Sequence, residues 1–294
     1  MYDDMLIRKK MLKIQERLGM RIGVAYGIRK VPVARTFADV LKILQELYKI
    51  GLKAFVLPRE LFSKISTTAD LYKEQYGNLL KIKDMANKFN IELSLRHTTL
   101  SDRPDEMLKT FCTIASVMDC RIFMIQPTFY ARMPREQALK LVVYKINEIM
   151  TSMRSDKKMG VETTGKIDQV GSLEDTIEIV KRTQNTEPVI NWGNIHARGS
   201  GALRTEDDFK KVMGRLRQDI GPYWTQNAFF IFSGVRYGPS GLTRYVPINQ
   251  SDMNLAFLVK QIMSFSAKGT LIFEDPDKEK FVIKLMSRLE DMVR

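Results

Sequence analysis

The chain has 294 residues, of which 44% are hydrophobic, 28% charged and 9% aromatic; this excludes dominant disorder, and the length suits one large domain or two small ones. Only two cysteines, Cys112 and Cys120, are present, which excludes a disulfide-stapled secreted fold and points to a reducing compartment. Lys plus Arg number 47 against 34 Asp plus Glu, a formal net charge of +13 that favours polyanionic partners, nucleic acid first.

The leader MYDDMLIRKKMLKIQERLGM scatters charges through an amphipathic pattern and lacks an apolar segment followed by a small-residue cleavage site. It reads as a basic helical extension over 1–19, not a signal peptide. No run approaches eighteen apolar residues, so a spanning helix is excluded and a cytoplasmic location is expected. MRIGVAY (20–26) then reads as a strand, and FADVLKILQELYKIG (37–51) as a helix ending at Gly51. The alternation continues with a strand over 53–58, a helix over 70–89, a strand over 91–96, and a helix over 102–119 that is expected to carry both cysteines. A strand follows over 121–126, a helix from Pro134, a strand over 159–164, a helix from Ser172, a strand over 188–192 and a helix from 205. The last elements are a strand over 227–235, a helix from 252 capped by Ser251 or Asp252, a strand over 270–275 and a helix over 277–293.

Apolar runs buried on both faces, each followed by an amphipathic helix, are what a closed parallel barrel requires. The fold class is therefore α/β, a (β/α)8 TIM barrel spanning 20–294 as a single domain. An open doubly wound sheet would also alternate, but it usually carries a glycine-rich turn after its first strand, and AYGIRK supplies none. The segment 236–250 reads as one long irregular connection at the carboxyl end of the strands, where sites in this fold are built.

Several residues cluster at that end. Gly160 to Lys166 matches most of a phosphate-binding loop, but Ile167 replaces the Ser or Thr that would hold magnesium, and the match reads as coincidence. Glu162 and Glu274 close two strands and point to the mouth. Paired carboxylates there do acid–base work, hold a hard cation, or pair with a mouth arginine such as Arg96 or Arg198 and fix loops. Asn191, Trp192, Asn194, His196 and Arg198 suit phosphate or base contact, or equally barrel core and loop backbone. A triad on Ser233 needs His97 or His196 within reach. With only these two histidines in the chain, a histidine-rich metal cluster is excluded.

The order LSLRHTT, IQPTFY, GVETTGKIDQVGSLED, PVINWGNIHARGSG, FIFSGVRYGPSGLTRYVPI and TLIFEDP resembles the endonuclease IV family of apurinic-site endonucleases, especially its archaeal branch, within the xylose isomerase-like barrels. The resemblance runs from residue 20 to the end and implies a TIM barrel that hydrolyses DNA at abasic sites with three zinc ions. Taken position by position, the family's histidines after strands three and four fall on Arg96, with His97 one place out of register, and on Gln126. The aspartate and histidine of strand six fall on Asn191 and Asn194. The histidine of strand seven falls on Ile231, and the acidic residue and histidine of the following loop on Leu242 and Tyr245. Glu162 and Glu274 are kept.

The resemblance therefore implies a barrel that has lost its zinc site, with Arg96 supplying a fixed positive charge in the former metal shell. The favoured expectation is a catalytically degenerate barrel without a metal that binds nucleic acid, DNA before RNA, or that serves in a larger protein assembly. Its contacts would be Arg96, His97, Gln126, Asn191, Asn194, His196, Arg198, Arg236, Arg244 and Tyr245, with phosphate contacts added by Arg8, Lys9, Lys10, Lys13 and Arg17. One alternative is an abasic-site phosphodiesterase with magnesium, manganese or zinc held by Glu162 and Glu274. Another is a sugar isomerase or epimerase of the same superfamily.

Overall fold

The computed structural model describes residues 4–65, 67–96, 100, 105–128, 133–153 and 157–293. Short, largely buried strands alternate with helices along the chain. They run α1 (Asp4–Leu18), β1 (Met20–Ala25), α2 (Phe37–Ile50), β2 (Ala54–Leu57), the single turn α3 (Thr68–Asp70), α4 (Tyr76–Phe89), β3 (Glu92–Arg96), α5 (Asp105–Val117), β4 (Ile122–Ile125), α6 (Arg135–Met153), β5 (Lys158–Glu162), α7 (Leu173–Arg182) and β6 (Thr186–Asn191). Then come α8 (Trp192–Arg198), α9 (Glu206–Ile220), β7 (Ala228–Gly238), β8 (Gly241–Val246), α10 (Leu255–Ser264), β9 (Gly269–Glu274) and α11 (Glu279–Met292).

β1 to β7 and β9 pair in parallel, and the β6–β7 ladder, with Ile190 opposite Phe230, closes the sheet into an eight-stranded barrel. Because side chains alternate along each strand, one set fills the barrel and the other meets the helices. Ala54, Val56, Ile122, Met124, Val189, Phe229, Ile231 and Ile272 form the interior cluster. The larger cluster lies between strands and helices, where Trp192 stacks on Phe209 and meets Phe230 edge to face.

Helix ends follow local chemistry. Thr36 and Asp39 form a capping box at α2, Ser172 and Asp175 another at α7, and Thr205 and Asp208 a third at α9; Gly51 ends α2 at φ +80°. In α1, Ile7, Met11, Ile14 and Leu18 are buried, and Gln15 ties the helix to the barrel by donating to Gly51 O at 2.8 Å and accepting from Ile22 N at 2.7 Å. Of the basic leader residues, Arg8 covers the Tyr48 ring and Lys10 faces Glu290.

Four local expectations are corrected. The segment 236–250 is not irregular: β7 continues past the barrel rim and turns back as antiparallel β8, making a β-hairpin. Residues 192–198 form a seven-residue helix, because the Asn191 side chain caps the Asn194 N–H. Only Cys112 lies on α5; Cys120 is buried in the turn beyond it. The cap of α10 is Asn254, two or three residues later than the expected Asp252 or Ser251.

Candidate functional site

The carboxyl ends of the strands bring Tyr26, Arg96, Glu162, Asn191, Ser233 and Glu274 to the centre of the mouth. Arg96 stands between the two glutamates. Its Nε donates to Glu162 Oε2 at 2.8 Å and its Nη2 to Oε1, a bidentate fork, while Nη1 reaches both Glu274 oxygens at 3.0 and 3.2 Å and the Tyr26 hydroxyl. The Glu162 oxygen takes a further bond from Asn191 Nδ2 at 2.9 Å, and Asn191 Oδ1 accepts from Ser233 Oγ at 3.1 Å. Glu162 is fully buried, Arg96 is 8% exposed and Glu274 16%, so water does little to screen these pairs.

Burial alone would depress the Arg96 pKa; the charge of Glu162, then that of Glu274, reverses this and holds it well above its ordinary value. Burial raises the Tyr26 phenol well above its usual range, so the ring stays neutral. Tyr26 sits at φ +70°, a left-handed conformation costing about 1–3 kcal/mol for a non-glycine residue, and its hydroxyl is thereby placed on Arg96. Lys278, also left-handed at φ +53°, donates to Ala25 O at 3.1 Å and lies 5.5 Å from the Tyr26 ring centre. Burial lowers its pKa, against the pull of Glu274 and Asp275. The centre thus balances two carboxylates with two cations.

The hairpin roofs this centre. Leu242 N donates to Gly165 O at 2.8 Å, Lys166 bridges to Gly241, and Tyr245 OH donates to Asn194 Oδ1 at 3.0 Å. Burial raises the Tyr245 pKa, so this donor persists at neutral pH. Gly165 is required here, since a Cβ on it would lie 2.7 Å from that of Leu242.

The remaining expected contacts are placed as follows. Asn194 donates to Thr163 O at 2.9 Å and is buried. His196 is buried too: Leu203 N donates to its Nδ1 at 3.0 Å, so the proton is on Nε2, bonded to Asp252 at 2.8 Å. Burial lowers its pKa, opposed by Asp252. Arg198 is spent on the β5–α7 loop, donating to Thr164 Oγ1, Lys166 O, Ile167 O and Gln169 O. Gln126 is half-buried at the end of β4, and His97 lies outside the described residues. Arg236 and Arg244 are exposed on the hairpin. Sequence reasoning missed Tyr26 and Lys278, with a Tyr-Gly pair closing β1 as the one available signal, and read Asp252 as a helix cap rather than as the partner of His196 and Tyr237.

The zinc cluster that the sequence resemblance implies does not fit these residues. No group of three or more His, Cys, Asp or Glu side chains suited to a cation occurs among the described residues. The two glutamates that remain accept from a guanidinium, which has donors only. Ile231, where the resemblance puts a ligand histidine, belongs to the apolar interior. At the opposite end of the barrel a cavity of about 590 Å³ is lined by Arg21, Lys53, Glu92 and Arg121, three of which already pair with one another.

Among solved structures, the chain is similar to a xylose isomerase domain protein from Planctomyces limnophilus, with a TM-score of 0.65 and 11% identity over 93% of this chain and 98% of that one. It is similar also to a D-tagatose 3-epimerase-like protein, at TM-score 0.64 and 15% identity over 92% and 98% of the two chains. A third likeness is to the IOLI protein with a bound zinc atom, at TM-score 0.62 and 14% identity over 93% and 95%. The fold is the TIM barrel that these structures share. No family model matches the sequence, and an uncharacterised protein of Methanocaldococcus jannaschii is 24% identical over 92% of this chain and 98% of its own. These likenesses do not single out the endonuclease IV branch within the xylose isomerase-like barrels. No described helix is long and apolar enough to cross a membrane.

Proposed function

We propose that this xylose isomerase-like barrel is catalytically silent, works without a metal, and binds nucleic acid, DNA before RNA, through the basic rim of its mouth. The observation that carries the reading is the Arg96 clamp. A guanidinium occupies the centre where the sequence resemblance puts metal ligands, and it engages both surviving carboxylates. Neither glutamate is then free to take a proton, ligate a cation or activate water. The net charge of +13 and the exposed rim cations Lys30, Arg35, Lys166, Arg236 and Arg244 favour a polyanionic partner.

The test is a duplex carrying one abasic site, offered with and without zinc, manganese or magnesium. Salt-dependent binding without nicking supports the reading; metal-dependent nicking lost in Glu162→Gln overturns it and reinstates an abasic-site endonuclease. The likeness to a D-tagatose 3-epimerase-like protein favours a second reading, a sugar epimerase. It needs carboxylates free to exchange a substrate proton, so turnover of D-tagatose by the purified chain would replace the first reading.

A further inference from the structure

The β7–β8 hairpin is held by its inner face. Val235 is buried, Tyr245 bonds Asn194, Tyr237 OH donates to Asp252 Oδ2 at 2.7 Å, and Leu242 rests on Gly165. In an antiparallel ladder, residues directly opposite one another share a face, and successive pairs alternate. The register pairs Val235 with Tyr245 and Arg236 with Arg244, so the two arginines stand side by side on the outer face.

Both are exposed, and neither side chain makes an ion pair or hydrogen bond within the described residues. Like charges directly opposite on a sheet face are destabilising, and here nothing offsets them. The ladder slips between Arg236 and Tyr237, so Thr243 is the extra residue of a β-bulge, a device that re-aims side chains at the edge of a sheet; its hydroxyl donates to Arg236 O at 2.9 Å. The exposed Lys166 is drawn alongside the turn by its backbone bridge to Gly241.

We infer that the outer face of this hairpin is the duplex-binding element of the barrel, with Arg236 and Arg244 engaging phosphates of the nucleic-acid backbone as a pair. A two-stranded ribbon has the width to lie in a duplex groove, and two guanidiniums on one face present paired donors to neighbouring phosphates. Phosphate contacts position a protein without reading sequence, so the contact is sequence-independent. The inference rests on the nucleic-acid reading of the mouth and names the element that carries it. It also gives the hairpin two faces with separate tasks: Tyr245 and Leu242 anchor it to Asn194 and Gly165, and the arginines face outward.

The test measures fluorescence anisotropy of a labelled duplex across a salt series with the full-length wild type, with Arg236→Ala/Arg244→Ala, and with Lys210→Ala/Arg217→Ala. The last pair is exposed on α9 and removes the same net charge elsewhere. Two lost phosphate contacts lower the slope of log K against log salt by about 1.8 and affinity at 0.1 M salt by about 10- to 60-fold. The α9 pair leaves the slope unchanged within about 0.5. The hairpin variant also keeps or slightly raises its melting temperature, because a repulsion is relieved. If the wild type binds and both variants match it, or lose affinity equally, this inference is overturned while nucleic-acid binding stands. If the hairpin variant melts earlier, the arginines are structural and the inference again falls. Absence of wild-type binding removes the nucleic-acid reading itself.

Discussion

Replacing Arg96 by methionine keeps much of the side-chain volume and removes the charge that both glutamates face. Glu162 is fully buried and loses two donor contacts out of three, so its carboxylate is left with Asn191 alone. Glu274, 16% exposed, recovers part of its loss through water. Removing one partner of a buried ion pair costs about 3–5 kcal/mol, far above the value of a surface pair. Arg96→Met is therefore expected to lower unfolding free energy by about 3–5 kcal/mol, a loss of about 100-fold or more in the folded-to-unfolded ratio, in equilibrium urea denaturation at pH 7. Arg96→Met/Glu162→Gln removes the stranded charge and recovers much of that loss, giving a coupling energy of about 2 kcal/mol or more in a double-mutant cycle. A single variant within about 1 kcal/mol of wild type, or additive behaviour in the cycle, would refute the clamp as the element that holds the mouth together.

Other expectations follow from the same geometry. His196 has a folded pKa below its unfolded value of about 6.5, so its contribution is complete above that pH and lost as pH falls toward the folded value. Stability between pH 7 and 5 should fall with a slope of at most about 1.4 kcal/mol per pH unit, and His196→Gln should flatten it; an unchanged slope contradicts the assignment. Tyr245→Phe loses the bond to Asn194, costs about 1 kcal/mol, and should speed proteolytic cleavage of the hairpin while leaving the barrel intact. Gly193→Ala sets a Cβ 2.3 Å from Ser233 Oγ and should cost about 1–3 kcal/mol by thermal melting, whereas Gly214→Ala, with open space around it, should not destabilise.

The barrel was legible because strands such as AFVL and IFMI are apolar on both faces, which only a sheet covered on both sides explains. The hairpin was not, because GLTRYV leaves Thr243, Arg244 and Tyr245 exposed in succession and so lacks a buried run. The helix at 192–198 is too short for a periodic signal and depends on one cap, Asn191. At the site, Glu162, Glu274 and Arg96 could be read from their places at strand ends. Tyr26 and Lys278 could not, since their roles come from left-handed backbone conformations that sequence periodicity does not encode. Asn191, Asn194 and His196 read equally well as ligand contacts or as loop supports, and the structure places each among buried internal partners.

The Arg96 guanidinium places positive charge beside both glutamates, and the proposed function needs no metal there. This is tested most directly by elemental analysis of the purified protein followed by calorimetric titration with zinc and manganese. The account predicts no stoichiometric metal and no saturable heat from the wild type, with none created by Glu162→Gln. One equivalent of metal bound to the wild type, and lost in Glu162→Gln, would contradict it.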